Sequence, residues 1–178
     1  MKRVLLFYAG DKVYFTGYHG TSQEFAKKIL ESESFDLSVG KEEWLGTGIY
    51  FYEGYSDALN WAAKNFDQDN AVLHVVISAD EDEYIDLDSE YGKQIYQKVV
   101  NVISKRCNYL VNGTAQENQC AIANFLWSKF IHIKILFASF PTEPSKFALL
   151  KDARAKRREL CVRDNESIKG IQLIELKE

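Results

Sequence analysis

The sequence predicts an α+β domain in which helices pack against β-strands. The chain of 178 residues has the length of one domain with a sizeable core, and its two prolines argue against long disordered linkers. Short β-branched or alternating stretches, separated by turn-forming residues, are typical of strands. Between them lie stretches with apolar residues at helical spacing, two of which begin with a capping sequence. We therefore expect one domain over residues 1–178.

The first predicted elements are strands at residues 4–7 and 13–15, joined by a turn at residues 9–12 that contains glycine and aspartate. The next extended stretch is expected to end at His19. The polar segment 35–45 is predicted to be a loop held by apolar anchors, which are Phe35, Leu37 and Trp44.

Thr21 and Glu24 have the spacing of a capping box, which predicts a helix that begins after Thr21 and ends near residue 32. His19 and Gly20 would then precede the N-terminus of this helix. Free N–H groups at such a position favour an anionic or carbonyl-bearing ligand. A second helix is predicted after Ser56, which is a suitable N-cap residue.

The remaining elements follow from periodicity and capping signals. Strands are predicted at residues 71–78, 84–87 and 131–140, and helices over residues 89–105 and after the capping box formed by Thr114 and Glu117. The acidic run at residues 80–83 is interpreted as a solvated turn, so no metal site is expected.

Two segments carry motifs that resemble a known family. Residues 18–21 are Tyr-His-Gly-Thr, and residues 46–51 are Gly-Thr-Gly-Ile-Tyr-Phe. This pair resembles the NAD-binding half of the ADP-ribosyltransferases of the diphtheria-toxin and poly(ADP-ribose) polymerase type. The resemblance implies split, mostly antiparallel β-sheets and a histidine, a tyrosine and a glutamate on three strands. His19 and Tyr50 match the first two positions.

The glutamate of this family opens a strand near the C-terminus, and one further strand follows it. Glu159 matches this placement, with residues 171–176 as the final strand. Glu175 is the alternative, but it lies so near the chain end that no strand can follow it. The resemblance therefore implies a catalytic triad of His19, Tyr50 and Glu159.

The resemblance also implies roles in binding NAD. Tyr50 and Trp61, which stands where the family usually has tyrosine, would flank the nicotinamide ring. The backbone of Gly20 would bind the nicotinamide carboxamide. His19 would bind the adenosine ribose, and Thr21 the nicotinamide ribose.

Glu159 would act on the bond that joins nicotinamide to ribose. Cleavage of that bond passes through an oxocarbenium-like state, as in glycoside hydrolysis, and a carboxylate stabilises the positive charge. Glu159 would also hydrogen-bond the ribose 2′-hydroxyl and accept a proton from the nucleophile. NAD is then the co-substrate, and no metal is required.

The residues before Glu159 are basic although the whole chain has a net charge of −4. Arg154, Lys156, Arg157 and Arg158 are therefore predicted to bind the acceptor, with nucleic acid slightly favoured over protein. The alternative is a solvated loop that improves solubility. Arg157 stands where arginine-modifying relatives carry glutamine or glutamate, which argues against a protein arginine as the target.

Several functions remain open at this point. The leading expectation is mono-ADP-ribosylation of RNA, DNA or protein, as in toxins and anti-phage effectors, some of which are paired with an antitoxin protein. The alternatives are NAD hydrolysis and a catalytically silent module that binds an ADP-ribose-like ligand. Transfer of an RNA 2′-phosphate to NAD would require further basic residues near His19 and a preceding helical domain.

The cysteines indicate the compartment. Cys107, Cys120 and Cys161 are odd in number and show no metal-ligand spacing, which is typical of reduced thiols in a cytoplasmic protein. The apolar run at residues 4–9 is too short for a signal peptide, and no stretch of the sequence has the length of a membrane span.

Overall fold

The computed structural model describes residues 8–9, 12–41, 43–106, 114–141 and 156–174. In these ranges eight strands and four α-helices form an α+β fold, which confirms the predicted class. The strands are β1 (Tyr8–Ala9), β2 (Lys12–Ser22), β3 (Ile49–Tyr52), β4 (Asn70–Asp80), β5 (Tyr84–Asp86), β6 (Ile135–Pro141), β7 (Lys156–Val162) and β8 (Ile168–Leu173). The helices are α1 (Gln23–Ser32), α2 (Tyr55–Phe66), α3 (Glu90–Arg106) and α4 (Ala115–Lys129).

The strands form a sheet in the order β5-β6-β7-β3-β2-β4-β8, with β1 paired to β2. The pairs are antiparallel except β5 with β6. β2 pairs with β4 along its whole length, but with β3 only through Tyr18 and Tyr52. The sheet is therefore divided at this pair into two halves, in line with the expected split, mostly antiparallel arrangement.

Two apolar clusters stabilise the fold. The first contains buried side chains from both halves of the sheet, among them Phe15, Phe51 and Leu73, and α1 contributes Ala26. The second lies between α3, α4 and the other face of β6 and β7, where Leu126 and Leu136 are fully buried. Burial of apolar surface is the main favourable contribution to folding, so these clusters hold β3 and β7 side by side.

The start of α1 differs from the prediction. Ser22 is the N-cap residue, and its hydroxyl accepts a hydrogen bond from the N–H of Phe25 at 3.2 Å. Thr21 is buried in β2 opposite Ala71 instead, because the pairing of β2 with β4 continues to Ser22. The predicted capping box at Thr21 is therefore wrong, and His19 lies within a strand rather than beside a helix terminus.

Other boundaries differ by a few residues. Helix α2 begins at Tyr55 with Gly54 as its N-cap residue, so Ser56 lies in the first turn. β6 begins at Ile135, since residues 131–132 form a turn, and Leu37 is 45% exposed rather than a buried anchor. The capping box of α4, formed by Thr114 and Glu117, is confirmed.

The structure also bears on cysteines and membrane spans. Cys120 and Cys161 are buried free thiols, whereas Cys107 lies outside the described residues. In the described ranges, no helix is both long and apolar enough to cross a lipid bilayer. The same residues contain no group of three or more His, Cys, Asp or Glu side chains arranged to hold a metal ion.

Candidate functional site

A cleft of about 290 Å³ opens where the two halves of the sheet separate. Its walls come from β2, β3, β7, α2, α4 and the segment between α1 and β3. Six residues of the cleft were predicted site residues, namely His19, Gly20, Tyr50, Trp61, Arg157 and Glu159. Thr21 does not line the cleft, since its side chain is buried in the fold. The structure therefore brings together the three residues of the predicted triad.

The described residues between α1 and β3, 33–41 and 43–48, form one wall of the cleft and are held at both ends. Asn165 accepts a hydrogen bond from the N–H of Phe35 at 2.8 Å and donates one to its carbonyl oxygen at 3.0 Å. Ser38 and Gly48 exchange two backbone hydrogen bonds, of 2.8 and 3.1 Å. Because both ends of the segment are anchored, this wall keeps a defined position relative to β3.

His19 connects the two halves of the sheet. Its Nδ1 lies 2.9 Å from the backbone oxygen of Tyr50. A carbonyl oxygen only accepts hydrogen bonds, so Nδ1 carries the proton. The ring packs edge-on against Phe35 and Phe51, and burial lowers the pKa of His19 below 6.5. The imidazole is therefore neutral, and its Nε2 is a hydrogen-bond acceptor suited to a ligand hydroxyl.

The lowered pKa of His19 predicts how stability depends on pH. The unfolded chain binds a proton at His19 more readily than the folded protein, so stability falls as the pH decreases through 6.5. In His19→Asn the side-chain amide can still donate to Tyr50, but it does not titrate. We expect thermal unfolding of this variant to depend less on pH between about 7 and 5. An unchanged dependence would contradict a buried neutral His19.

Tyr50 uses its hydroxyl within the fold. The hydroxyl donates to the carbonyl oxygen of Gly46 at 2.6 Å and accepts from the N–H of Leu45 at 2.9 Å. Gly46 has a φ of +78°, a backbone conformation that favours glycine. Burial raises the pKa of Tyr50 well above its ordinary value of 10.0, so the phenol stays protonated. Tyr50 therefore offers its ring to the cleft and holds the neighbouring loop with its hydroxyl.

We expect Tyr50→Phe to lower the free energy of unfolding by about 1–3 kcal/mol, because Leu45 and Gly46 lose their hydrogen-bond partner. Tyr91→Phe is a matched control, since Tyr91 is 69% exposed, and its effect should stay within about 0.5 kcal/mol. Chemical denaturation of both variants measures the difference. Equal stabilities would show that the hydroxyl of Tyr50 does not hold the loop.

Glu159 is buried in the cleft, with an exposed fraction of 4%. It lies opposite Tyr52 in the pairing of β3 with β7. Its Oε1 is 2.7 Å from Nε of Arg157, yet this contact lacks hydrogen-bond geometry, and Oε1 accepts no hydrogen bond from the described residues. A buried carboxylate oxygen in this state has free capacity to bind a ligand donor.

The electrostatic environment of Glu159 combines opposing effects. Burial raises the pKa of Glu159 above 4.5, and the positive charge of Arg157 opposes this rise. The negative charges of Glu43 and Asp57 raise the pKa further. The same region disfavours a second anion at Tyr52, whose pKa is also raised, mainly by burial. The surroundings of Glu159 therefore disfavour its charged form, and Arg157 is the group that favours it.

Helix α2 supplies one side of the cleft. Trp61 is 39% exposed and packs edge-on against Phe66, with ring centroids 5.8 Å apart. Gly20 lies beneath this helix, and a Cβ atom there would be 2.3 Å from the carbonyl oxygen of Ala58. Gly20 therefore has a structural role, because only glycine permits this close approach of α2 to β2.

The predicted acceptor-binding residues that the structure describes lie on β7 rather than in a loop. Arg154 lies outside the described residues, and so does the side chain of Lys156, although its backbone begins β7. Arg157 faces the cleft. Arg158 points to the opposite face, where it pairs with Asp86 at 2.7 Å and lies 3.7 Å from Glu53. The prediction that Arg158 binds an acceptor is therefore not supported, because carboxylates already pair with its guanidinium.

The cleft contains residues that the sequence did not indicate as functional. Tyr52 could have been found, because a residue two positions after Tyr50 on a strand lies on the same face. Asp36, Glu43 and Gln116 carry no such signal, since they reach the cleft only through the folding of a loop and of α4.

Comparison with known proteins places few limits on the interpretation. No family model and no solved structure matches the chain. An uncharacterized protein from Methanocaldococcus jannaschii is 26% identical over an alignment of 197 positions, which spans 93% of this chain and 89% of that protein. No activity is named for this relative, so the function must be inferred from the chemistry of the cleft.

Proposed function

We propose that the protein is a mono-ADP-ribosyltransferase that cleaves NAD and transfers ADP-ribose to a macromolecule. One observation carries this proposal. The carboxylate of Glu159 is almost fully buried in a cleft beside His19 and Tyr50, and its Oε1 accepts no hydrogen bond from the described residues. These are the three residues whose sequence context resembles the His, Tyr and Glu of the transferase family.

The cleft is suited to the nicotinamide end of NAD. Its described lining includes three carboxylates, those of Asp36, Glu43 and Glu159, and one guanidinium, that of Arg157. This balance, together with aromatic walls, favours a positively charged heterocycle. A volume of about 290 Å³ is near the lower end of the range for ligand pockets, so part of the dinucleotide extends beyond the cleft.

The proposed reaction is a substitution at the anomeric carbon of the nicotinamide ribose. The glycosidic bond breaks, and its electron pair remains on the ring nitrogen, which neutralises the departing nicotinamide. The positive charge that develops on the ribose is stabilised by Glu159, whose Oε1 accepts a hydrogen bond from the 2′-hydroxyl. The acceptor nucleophile then bonds to the same carbon, and its proton passes to Glu159.

The other residues of the cleft bind and orient NAD in this proposal. The neutral imidazole of His19 accepts a hydrogen bond from a hydroxyl of the adenosine ribose through Nε2. The rings of Tyr50 and Trp61 flank the nicotinamide and exclude water from the reacting bond. Tyr50 acts through its ring alone, because its hydroxyl is used by the fold.

As the acceptor of ADP-ribose, nucleic acid is slightly favoured over protein. The support is the basic sequence before Arg157, namely Lys151, Arg154 and Lys156, whereas Arg158 is excluded because it pairs with acidic residues of the fold. A macromolecular acceptor fits a toxin or an anti-phage effector that acts in the cytoplasm, a class in which some members are paired with an antitoxin protein.

Incubation with NAD labelled in its adenylate half and a cell lysate tests the proposal. Label that is lost only on nuclease treatment identifies a nucleic acid acceptor, and label lost only on protease treatment identifies a protein. Release of nicotinamide without labelled macromolecules makes the protein an NAD glycohydrolase. If no nicotinamide is released, the cleft is a binding site without catalytic activity and the proposal fails.

A further inference from the structure

Arg157 is the neighbour of Glu159 on the same face of β7. Its Nε lies 2.7 Å from Oε1 of Glu159, and its guanidinium carbon lies 5.7 Å from the centre of the Tyr52 ring. Tyr52 in turn lies directly opposite Glu159 in the sheet. The guanidinium is therefore held by two neighbours at once, a carboxylate on its own strand and an aromatic ring on the next.

We propose that Arg157 is a positioning residue that holds the Glu159 carboxylate in its orientation towards the cleft, rather than a residue that binds the acceptor. This inference rests on the proposed function and identifies a residue on which that function depends. The distinction matters because the sequence alone groups Arg157 with the basic residues of an acceptor-binding loop. The structure instead places its charged group against the central carboxylate.

The charges around Glu159 explain why such a residue is needed. Removing a carboxylate from water is costly unless an opposite charge compensates it. Of the described residues that line the cleft, Arg157 is the one that carries a positive charge, since His19 is neutral. The other groups in and around the cleft are negative or uncharged. They are Asp36 and Glu43 from the cleft wall, Asp57 from α2 and Tyr52 from β3.

The contact between Arg157 and Glu159 leaves Oε1 of Glu159 able to bind the substrate. Oε1 of Glu159 lies close to Nε of Arg157 but receives no properly directed hydrogen bond from it. The attraction between the charges does not depend on that direction, whereas a hydroxyl of NAD needs a free lone pair. Arg157 can therefore stay in place while Oε1 accepts a hydrogen bond from the substrate.

Two variants of Arg157 test this role through the release of nicotinamide, measured as a function of pH. Arg157→Met keeps the apolar stem and removes the charge, whereas Arg157→Lys keeps the charge and loses the planar group that stacks on Tyr52. Lys169→Met is the matched control, because it removes one positive charge at an exposed position on β8.

We expect Arg157→Met to lose about tenfold more activity near pH 6 than near pH 9, because without the guanidinium Glu159 holds its proton to higher pH. Arg157→Lys should recover part of the loss at the lower pH, and Lys169→Met should behave as the wild type. A loss that is equal at all pH values would overturn the proposal. So would unchanged nicotinamide release combined with weaker labelling of the acceptor, since that result would indicate acceptor binding.

A second measurement separates this inference from the proposed function. Thermal unfolding of the wild type, Arg157→Met, Glu159→Gln and the double variant gives a cycle that does not depend on activity. Changes in melting temperature that fail to add would support a direct interaction between the two residues, and additive changes would overturn it. If the wild type releases no nicotinamide, the proposed function fails, and the cycle alone decides whether Arg157 holds Glu159.

Discussion

Glu159→Gln is expected to reduce the rate of NAD cleavage by about 1,000-fold while NAD still binds, because the amide cannot stabilise the positive charge on the ribose. The amide has nearly the shape of the carboxylate, so interactions made equally with substrate and transition state persist. The loss should therefore appear in kcat rather than in KM. Nicotinamide release gives the rate, and calorimetric titration with NAD gives the affinity.

Loss of folding does not explain such a result. Because burial raises the pKa of Glu159 above 4.5, the folded protein binds the proton more tightly than the unfolded chain does. The ionised carboxylate at neutral pH therefore lowers stability, and its contribution improves as the pH falls towards 4.5. We expect Glu159→Gln to melt no earlier than the wild type.

Glu166→Gln provides the matched control, since it makes the same chemical change at an exposed position beside β8. Its turnover should equal that of the wild type. Full activity in Glu159→Gln would remove Glu159 from the reaction. Glu43, which lines the same cleft and whose charge raises the pKa of Glu159, would then be the next residue to test.

The parts of the fold that the sequence predicts well are those set by local chemistry. The capping box of Thr114 and Glu117 starts α4, and the β-branched run at residues 71–78 lies within β4. The start of α1 was misplaced by one residue because Ser22 and Thr21 are both able to cap. The choice between them depends on how far β2 pairs with β4, which is a long-range property.

The candidate site, too, was predicted only where local sequence determines it. Motifs place His19, Tyr50 and Glu159 on separate strands, and the structure brings all three to one cleft. The sequence does not reveal that Arg157 and Arg158 face opposite sides of a strand, because that requires knowing where β7 begins. Nor does it show that the hydroxyl of Tyr50 is used within the fold, since its partners belong to a loop of irregular geometry.

Gly20→Ala is expected to lower stability by about 3 kcal/mol, which is the upper part of the range for overpacking a core. A Cβ atom at this position would lie 2.3 Å from the carbonyl oxygen of Ala58 and 3.2 Å from Cβ of Ala62. The first contact is with backbone, so no change of side-chain rotamer relieves it. Helix α2 must therefore move away from β2, and Trp61 moves with it.

The consequences of Gly20→Ala for stability and for the cleft are linked. For a domain of this size the destabilisation should lower the melting temperature by about 10 °C. Because α2 carries Trp61 away from Tyr50, the affinity for NAD should fall as well. Gly170→Ala is the control, since a Cβ atom there would meet nothing closer than Val76 at 3.9 Å. Equal melting temperatures for the two variants would show that α2 does not need glycine at position 20. Loss of NAD affinity in Gly20→Ala alone would show that the packing of α2 determines the shape of the cleft.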